Sequence, residues 1–457
     1  MSKNQALLWS ACLTAFFSAF MSNAINVAIP AIADTYSITP ENVPLAVSAY
    51  VITVTAFIFP SIALSNRLGI QKTFALGALS TSLAALVVPF APTFNLFLLG
   101  RIFQGLFNAI IFVTNLALVS YYIEKEKRAY YIGLTVASVY LGISLSPSIG
   151  GFLTDLIGWQ IMFYITAFGS FLSYLFVKKV PQDPPVSKKY PLKRMALCAS
   201  SFTLIFICLS FFKELPKASY ILLFGIVLFT IYLYSEHKSK DPLLPIPLLL
   251  NNKVLSFNLL SAICNYMSTF AIALLLSMHL QLILGFSASE TGLILMLQPL
   301  MQCLLSPIAG KLSNNINRHL LVFIGLLLCS ISTFVYSLLE PTTSLIIINL
   351  AQVLGGIGFG LFSAPNTDII MGSVSKTKLS LVGGLTSLAR NFGMSSCMAI
   401  VTVVISLYLS AAPDTTLYIR ELNFTISRCF VISTFCGVIG MVFCILGAYY
   451  AKHKTNL

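Results

Sequence analysis

The chain has 457 residues, 57% of them hydrophobic and only 9% charged, with a mean hydropathy of +0.90. A soluble domain needs about 25% charged residues to cover its surface, so a soluble globular enzyme is excluded, and so apolar a chain is not disordered. The net charge of +13 sits in short clusters between apolar runs, which fits a membrane surface and argues against nucleic acid.

Apolar runs long enough to cross a bilayer, roughly 20 residues each, fall in chain order at 6–30, 45–64, 73–91, 96–120, 129–152, 160–177, 195–212, 219–235, 254–284, 290–310, 319–338, 343–366, 379–410 and 429–451. The first run is too long for the apolar core of a signal peptide and reads as a retained helix. The expected fold is therefore all-α and polytopic, with fourteen transmembrane helices. Twenty-one of the 27 Lys and Arg residues fall on the side that holds both ends of the chain, four on the other side, and Arg101 and Arg390 within spans. The positive-inside rule makes both termini cytoplasmic, in a plasma membrane or, in a bacterium, the inner membrane.

The basic, proline-rich segments 178–194 and 236–253 bracket two spans. They divide the chain into a six-span bundle at 1–177, two inserted helices at 178–253 and a second six-span bundle at 254–457. The halves share sequence. Arg101-x-x-Gln104 aligns with Asn349-x-x-Gln352, and Leu64-Ser65-Asn66 with Leu312-Ser313-Asn314, at one offset; Gly133-Leu134-Thr135 and Gly142 align with Gly384-Leu385-Thr386 and Gly393 three residues further on. Parallel repeats with a site between them describe a transporter. The ten cysteines form no CxxC pair and read as core packing, not as a disulfide or metal set. No phosphate-binding glycine loop or nucleophile elbow is present, so neither an enzyme nor an ATP-driven pump is expected, and no cofactor or metal.

Three motifs resemble the major facilitator superfamily. Leu64-Ser65-Asn66-Arg67-Leu68-Gly69-Ile70-Gln71-Lys72 resembles its loop between the second and third spans, G-x-L-a-D-r-x-G-r-k. Ile62 stands for the first glycine and Asn66 for the aspartate. The resemblance implies that this segment is a gate latch, which in the family is built on charge pairs; Asn66, Arg67 and Gly69 stand at its motif positions, and the neutral Asn66 weakens it here. Gly100-Arg101-Ile102-Phe103-Gln104-Gly105 resembles the R-x-x-q-G pattern of the fourth span, implying a role for Arg101, Gln104 and Gly105 in proton coupling or gating; a shallow Arg101 would instead snorkel to the interface. Gly133-x8-Gly142-x3-Ser146-Pro147-Ser148-Ile149-Gly150-Gly151 resembles the antiporter motif of the fifth span, with Ser146 in place of one glycine. Gly142, Pro147, Gly150 and Gly151 would let helices approach and bend. Gly158-Trp159-Gln160, Asp241-Pro242-Leu243-Leu244 and Ala389-Arg390-Asn391-Phe392-Gly393, with the six-two-six layout, are similar to the fourteen-span drug:proton antiporters.

One departure stands out. Met21 occupies the place of that subfamily's first-span aspartate, although Asn26 through Pro30 fit its pattern. Proton coupling would then fall to His279, the only histidine well inside a span, or to Asp368; a packed histidine and a helix-end cap are the plain alternatives. Amides in the core spans are candidates for the substrate cavity: Asn23, Asn26, Asn108, Asn115, Asn258, Asn265, Gln298, Gln302, Asn349, Asn366 and Asn391, with Tyr266. They could equally bond helix to helix. Neutral amides suit a neutral or mixed-polarity organic molecule better than a permanent cation. Asn423-Phe424-Thr425 is a glycosylation sequon expected in an outer loop. The expected function is a proton-coupled, monomeric exporter of a small amphiphilic compound, with a dedicated metabolite or siderophore exporter as one alternative and a non-transporting membrane sensor as another.

Overall fold

The computed structural model describes residues 3–39, 42–184, 192–210, 218–239, 244, 246–313, 315–374, 379–409 and 415–454. Asp241, Pro242 and Leu243 of the sequence motif above, and much of both basic linkers, lie outside them. Eighteen α-helices and no strand occur among the described residues. They are α1 Lys3–Ala24, α2 Ile29–Tyr36, α3 Pro44–Leu68, α4 Ile70–Val87, α5 Phe94–Tyr122, α6 Lys125–Leu156, α7 Gln160–Val177, α8 Leu192–Ser210, α9 Ala218–His237, α10 Ile246–Asn251, α11 Lys253–Thr269, α12 Ile272–Met278, α13 Ala288–Leu295, α14 Leu297–Leu312, α15 Arg318–Ser337, α16 Leu345–Gly372, α17 Leu379–Tyr408 and α18 Thr416–Lys454. Thirteen stretches of the described residues are long and apolar enough to cross a membrane; α8 stands at the place of the remaining expected span.

Helix boundaries follow local chemistry. Pro30 at the start of α2 lacks an N–H for the preceding turn, and residues Ile25–Ala28 tighten into a 3₁₀ turn there. Thr93 caps α5, Asn252 caps α11 and Asn317 caps α15, each accepting a backbone N–H of the first turn. Gly69 divides α3 from α4 at a φ of +89°, a backbone shape that favours glycine. The run 254–284 is found as one apolar stretch, Lys253–Ile283, built from α11, α12 and a π-helical turn at His279–Ile283 in succession. One sequence expectation is corrected. The last span starts at Thr416, not 429, so Arg420, Arg428 and the sequon Asn423 lie in a helix instead of an outer loop. Asn423 is half-buried, with its amide donated to the Leu339 carbonyl at 3.0 Å.

By internal contacts the chain falls into two compact units. The first is Met1–Ile207, Ser219–Tyr232 and Phe286–Leu293; the second is Cys208–Ala218, Leu233–Gly285 and Ile294–Leu457. In the first, α1 packs on α6 and α7, α3 on α5, and α4 on α5 and α7. In the second, α11 packs on α17 and α18, α14 on α16, and α15 on α16 and α18. The two pairing schemes are the same scheme, shifted along the chain, which is what the repeated motifs require. The first unit's core includes Leu7, Ala11, Phe74, Ala78, Ile111 and Leu118, and the second's Ala262, Val322, Leu326, Phe362 and Cys444. The outward surface is apolar as well: Leu83, Leu86, Val87, Leu223, Phe224 and Val227 are all exposed. Such a surface suits acyl chains, not water.

Candidate functional site

Arg101 is the centre of the site. It is the eighth residue of α5, about 11 Å from the start of that helix at 1.5 Å per residue. It is 0% exposed, so it does not snorkel. Its Nε donates to the Ala46 carbonyl at 3.3 Å and Nη1 to Gln104 Oε1 at 2.8 Å, across one helical turn of α5. Its guanidinium lies over the Tyr50 ring, 4.6 Å from the centroid. Its Nη2 has no hydrogen-bond partner among the described residues. Orphaned donors on a buried cation are rare in a folded interior. The cation is thus held by a carbonyl, an amide and a ring face, with one donor left over.

A polar chain extends from it. Ser22 of α1 donates to the Tyr50 hydroxyl at 3.3 Å. Asn108 donates to the Gln104 carbonyl at 3.3 Å and accepts from Ser18 at 2.7 Å. Asn115, two turns on, bridges to the Ala11 carbonyl and Thr14 at 3.2 and 3.4 Å. Asn108 and Asn115 are therefore engaged in joining α5 to α1. Asn23 is half-buried and bonds the Ala19 carbonyl of its own helix at 3.0 Å, while Asn26 is 5% exposed beside it. Met21 is buried on the same helix.

The motif glycines mark close helix crossings. A Cβ at Gly105 would stand 2.5 Å from the Tyr50 carbonyl oxygen, so glycine here lets α3 bring Tyr50 over Arg101. A Cβ at Gly142 would strike the Phe16 carbonyl of α1. Gly150 faces Ala24, and Gly151 faces the Ala288 carbonyl at the start of α13. Pro147 is buried within α6, where its ring removes one helical N–H. Nearby, Asp155 of α6 accepts from the Ser289 backbone N–H at 2.7 Å and from its hydroxyl at 2.5 Å. Asn66, half-buried, and Arg67, exposed, lie in the last turn of α3 and not in a loop, because the helix runs on to Leu68 and only Gly69 parts it from α4.

In the second unit the candidates are spread out. Asn265 is 0% exposed, with both amide atoms lacking partners among the described residues. Asn366 is buried and donates to the Asn258 carbonyl at 3.4 Å. Tyr266 packs edge-on to Phe359 with ring centroids 5.5 Å apart. Gln298 and Gln302 are half-buried on α14, and the Gln298 carbonyl abuts Gly356 of α16. Arg390 is half-buried on α17, and Asn391 bonds Ser387 within that helix. Asp368 is exposed and forms an ion pair with Arg318 at 2.9 Å. His279 is 0% exposed at the head of the π-helical turn. Asn423 stands beside its imidazole without reaching hydrogen-bond geometry, and neither ring nitrogen has a hydrogen-bond partner among the described residues.

Sequence reasoning missed Tyr50 and Asp183. A tyrosine in an apolar run carries no signal of its own; the ring reaches Arg101 because α3 crosses α5 closely at Gly105. Asp183 was hidden in a linker read for its basic charge. Among the described residues no group of three or more His, Cys, Asp or Glu is placed to hold a metal.

The sequence pattern of the Major Facilitator Superfamily matches residues 11–396. The chain is 25% identical over 389 residues to the riboflavin transporter RibZ of Clostridioides difficile (strain 630), covering 84% of each chain. It is 24% identical over 428 residues to multidrug resistance protein Stp of Mycobacterium tuberculosis (strain CDC 1551 / Oshkosh), covering 90% of this chain and 78% of that one. It is 22% identical over 388 residues to quinolone resistance protein NorB of Staphylococcus aureus (strain JH9), covering 82% and 83%.

Proposed function

The chain belongs to the Major Facilitator Superfamily, and from that premise we propose that it is a secondary exporter of a small amphiphilic organic compound, driven by proton uptake. The observation that carries the reading is the buried Arg101, wired through Gln104 and Tyr50 to α1 and α3, with Nη2 left for a ligand or a second state. A buried cation without an acid beside it is costly, and it persists where it has work to do. The two six-span halves, 1–177 and 254–457, rock about a site near the midplane, with the pair within 178–253 carried alongside. Both termini face the cytoplasm, because the Lys and Arg clusters gather on that side. The protein acts as a monomer.

A second reading has its own support. Met21 is buried where a membrane acid would stand, and the amides around it are neutral. Such a lining favours one neutral or mildly acidic metabolite, including a siderophore, over cationic drugs. The names of the relatives span both readings, from a riboflavin transporter to a quinolone resistance protein. Everted membrane vesicles with an imposed pH gradient separate them, using ethidium, riboflavin and norfloxacin as probes. Gradient-dependent accumulation of all three supports a multidrug exporter. Accumulation of riboflavin alone supports the metabolite reading. Accumulation that ignores the gradient overturns the proton-driven claim, and no accumulation of any probe favours a non-transporting sensor.

A further inference from the structure

The first residues after α7 turn back onto the basic end of the first unit. Asp183 is only 8% exposed. Its carboxylate accepts from the backbone N–H of Ile70 at 2.6 Å and of Gln71 at 2.8 Å, one oxygen to each. These are the first two residues of α4. The Tyr122 hydroxyl, at the last residue of α5, lies 3.0 Å from Asp183 Oδ1 and 2.6 Å from the Pro181 carbonyl. Gln71 donates its side-chain amide to the Val177 carbonyl at 2.9 Å. A Cβ at Gly69 would stand 2.7 Å from the Asp183 carbonyl oxygen, so the turn between α3 and α4 and the linker are in direct contact.

The chemistry is that of a helix cap supplied from 112 residues away. The open N–H groups of a first turn carry partial positive charge, and a carboxylate satisfies them better than any neutral side chain. Charge-assisted bonds of this kind are shorter and roughly twice as strong as neutral ones. The second unit makes the corresponding junction without a linker: Arg318 at the start of α15 pairs directly with Asp368 near the end of α16. In both units the start of one span is tied to the end of the next. Only in the first is the tie made by residues that lead into the inserted helices.

We propose that Asp183 is a positioning residue of the transport cycle: its carboxylate clasps the linker to the α3–α4 turn and the end of α5, and so sets how readily that turn rearranges. The clasp supplies to residues 65–72 the negative charge that Asn66 does not. It makes the linker a working part of the basic face, and it rests on the transporter reading for its functional half.

The test uses the full chain in lipid nanodiscs and in vesicles, with Asp183→Ala, Asp183→Asn and Asp183→Glu. Hydrogen exchange of peptides covering 70–73 reads the clasp without any substrate. Asp183→Ala is expected to speed exchange there by roughly tenfold or more, Asp183→Asn less so, with residues 318–321 unchanged. In vesicles with whichever of ethidium, riboflavin and norfloxacin the parent chain accumulates, the maximal rate changes severalfold in the order Ala, Asn, Glu while KM stays within about twofold, because the substrate is not touched. Unchanged exchange at 70–73 in Asp183→Ala overturns the clasp. Faster exchange with an unaltered maximal rate overturns its role in transport and leaves a merely structural cap. A parent chain that moves no probe defeats the transporter reading, while the exchange result still decides the clasp.

Discussion

At the residue scale, Arg101 carries the account. Its three recorded partners are a carbonyl, an amide and a ring face, each specific to a planar guanidinium. A lysine keeps the charge but cannot reach Ala46 and Gln104 together while stacking on Tyr50. Arg101→Lys is therefore expected to lower initial transport rates by roughly tenfold or more, with normal amounts of folded protein in the membrane. Wild-type rates in that variant would reduce Arg101 to a packing residue. His279 and Asp368 differ in kind. Asp368 shares an exposed ion pair, of a sort worth about 0–1 kcal/mol, and Asp368→Asn should leave the dependence on an imposed pH gradient intact. His279 is wholly enclosed and lacks a hydrogen-bond partner among the described residues. His279→Gln should abolish gradient-driven accumulation if this imidazole carries the proton, and downhill exchange measured in the same vesicles should survive.

At the scale of elements, the glycines set helix distances. A Cβ at 142 would meet the Phe16 carbonyl, whereas a Cβ at Gly133, nine residues earlier on α6, would meet nothing within 4 Å. Gly142→Ala is expected to cost about 1–3 kcal/mol by forcing α1 and α6 apart, seen as a lower unfolding midpoint in detergent. Gly133→Ala should be neutral or slightly stabilising. The sequence motif treated these two positions alike; only the packing separates them. The apolar runs made most spans legible, and the spacing of Arg101 and Gln104 placed them on one face, as found. What stayed hidden depended on partners distant in sequence. The bend at Pro30 could be expected from the missing N–H, but the break after Thr269 carries no proline or glycine and was not legible. The helical extension from 429 back to Thr416 was masked by Arg420 and Arg428, whose charges imitate a loop. The engagement of Asn108 with Ser18, and of Asp183 with Ile70 and Gln71, is written in neither residue's neighbours.

At the scale of the molecule, the repeated pairing of helices within each unit is the strongest link between sequence and mechanism. Weak matches at a nearly constant offset foretold it, and the same scheme of contacts recurs in both units. Two bundles of one design offer the symmetry that alternating access uses. The orientation inferred from Lys and Arg has a direct check: reporters fused after Lys454 and within 410–414 should report the cytoplasm and the opposite face respectively, and the reverse pattern would invert the transport direction proposed here. Alternating access itself is tested most directly by cysteine labelling. Asn23→Cys and Gln298→Cys, each in a chain whose ten native cysteines are replaced, are exposed in oriented vesicles to a membrane-impermeant maleimide from either face. The account predicts that both positions label from both faces, and that reversing the pH gradient raises labelling from one face while lowering it from the other. Labelling from a single face under both gradients, at both positions, would contradict it.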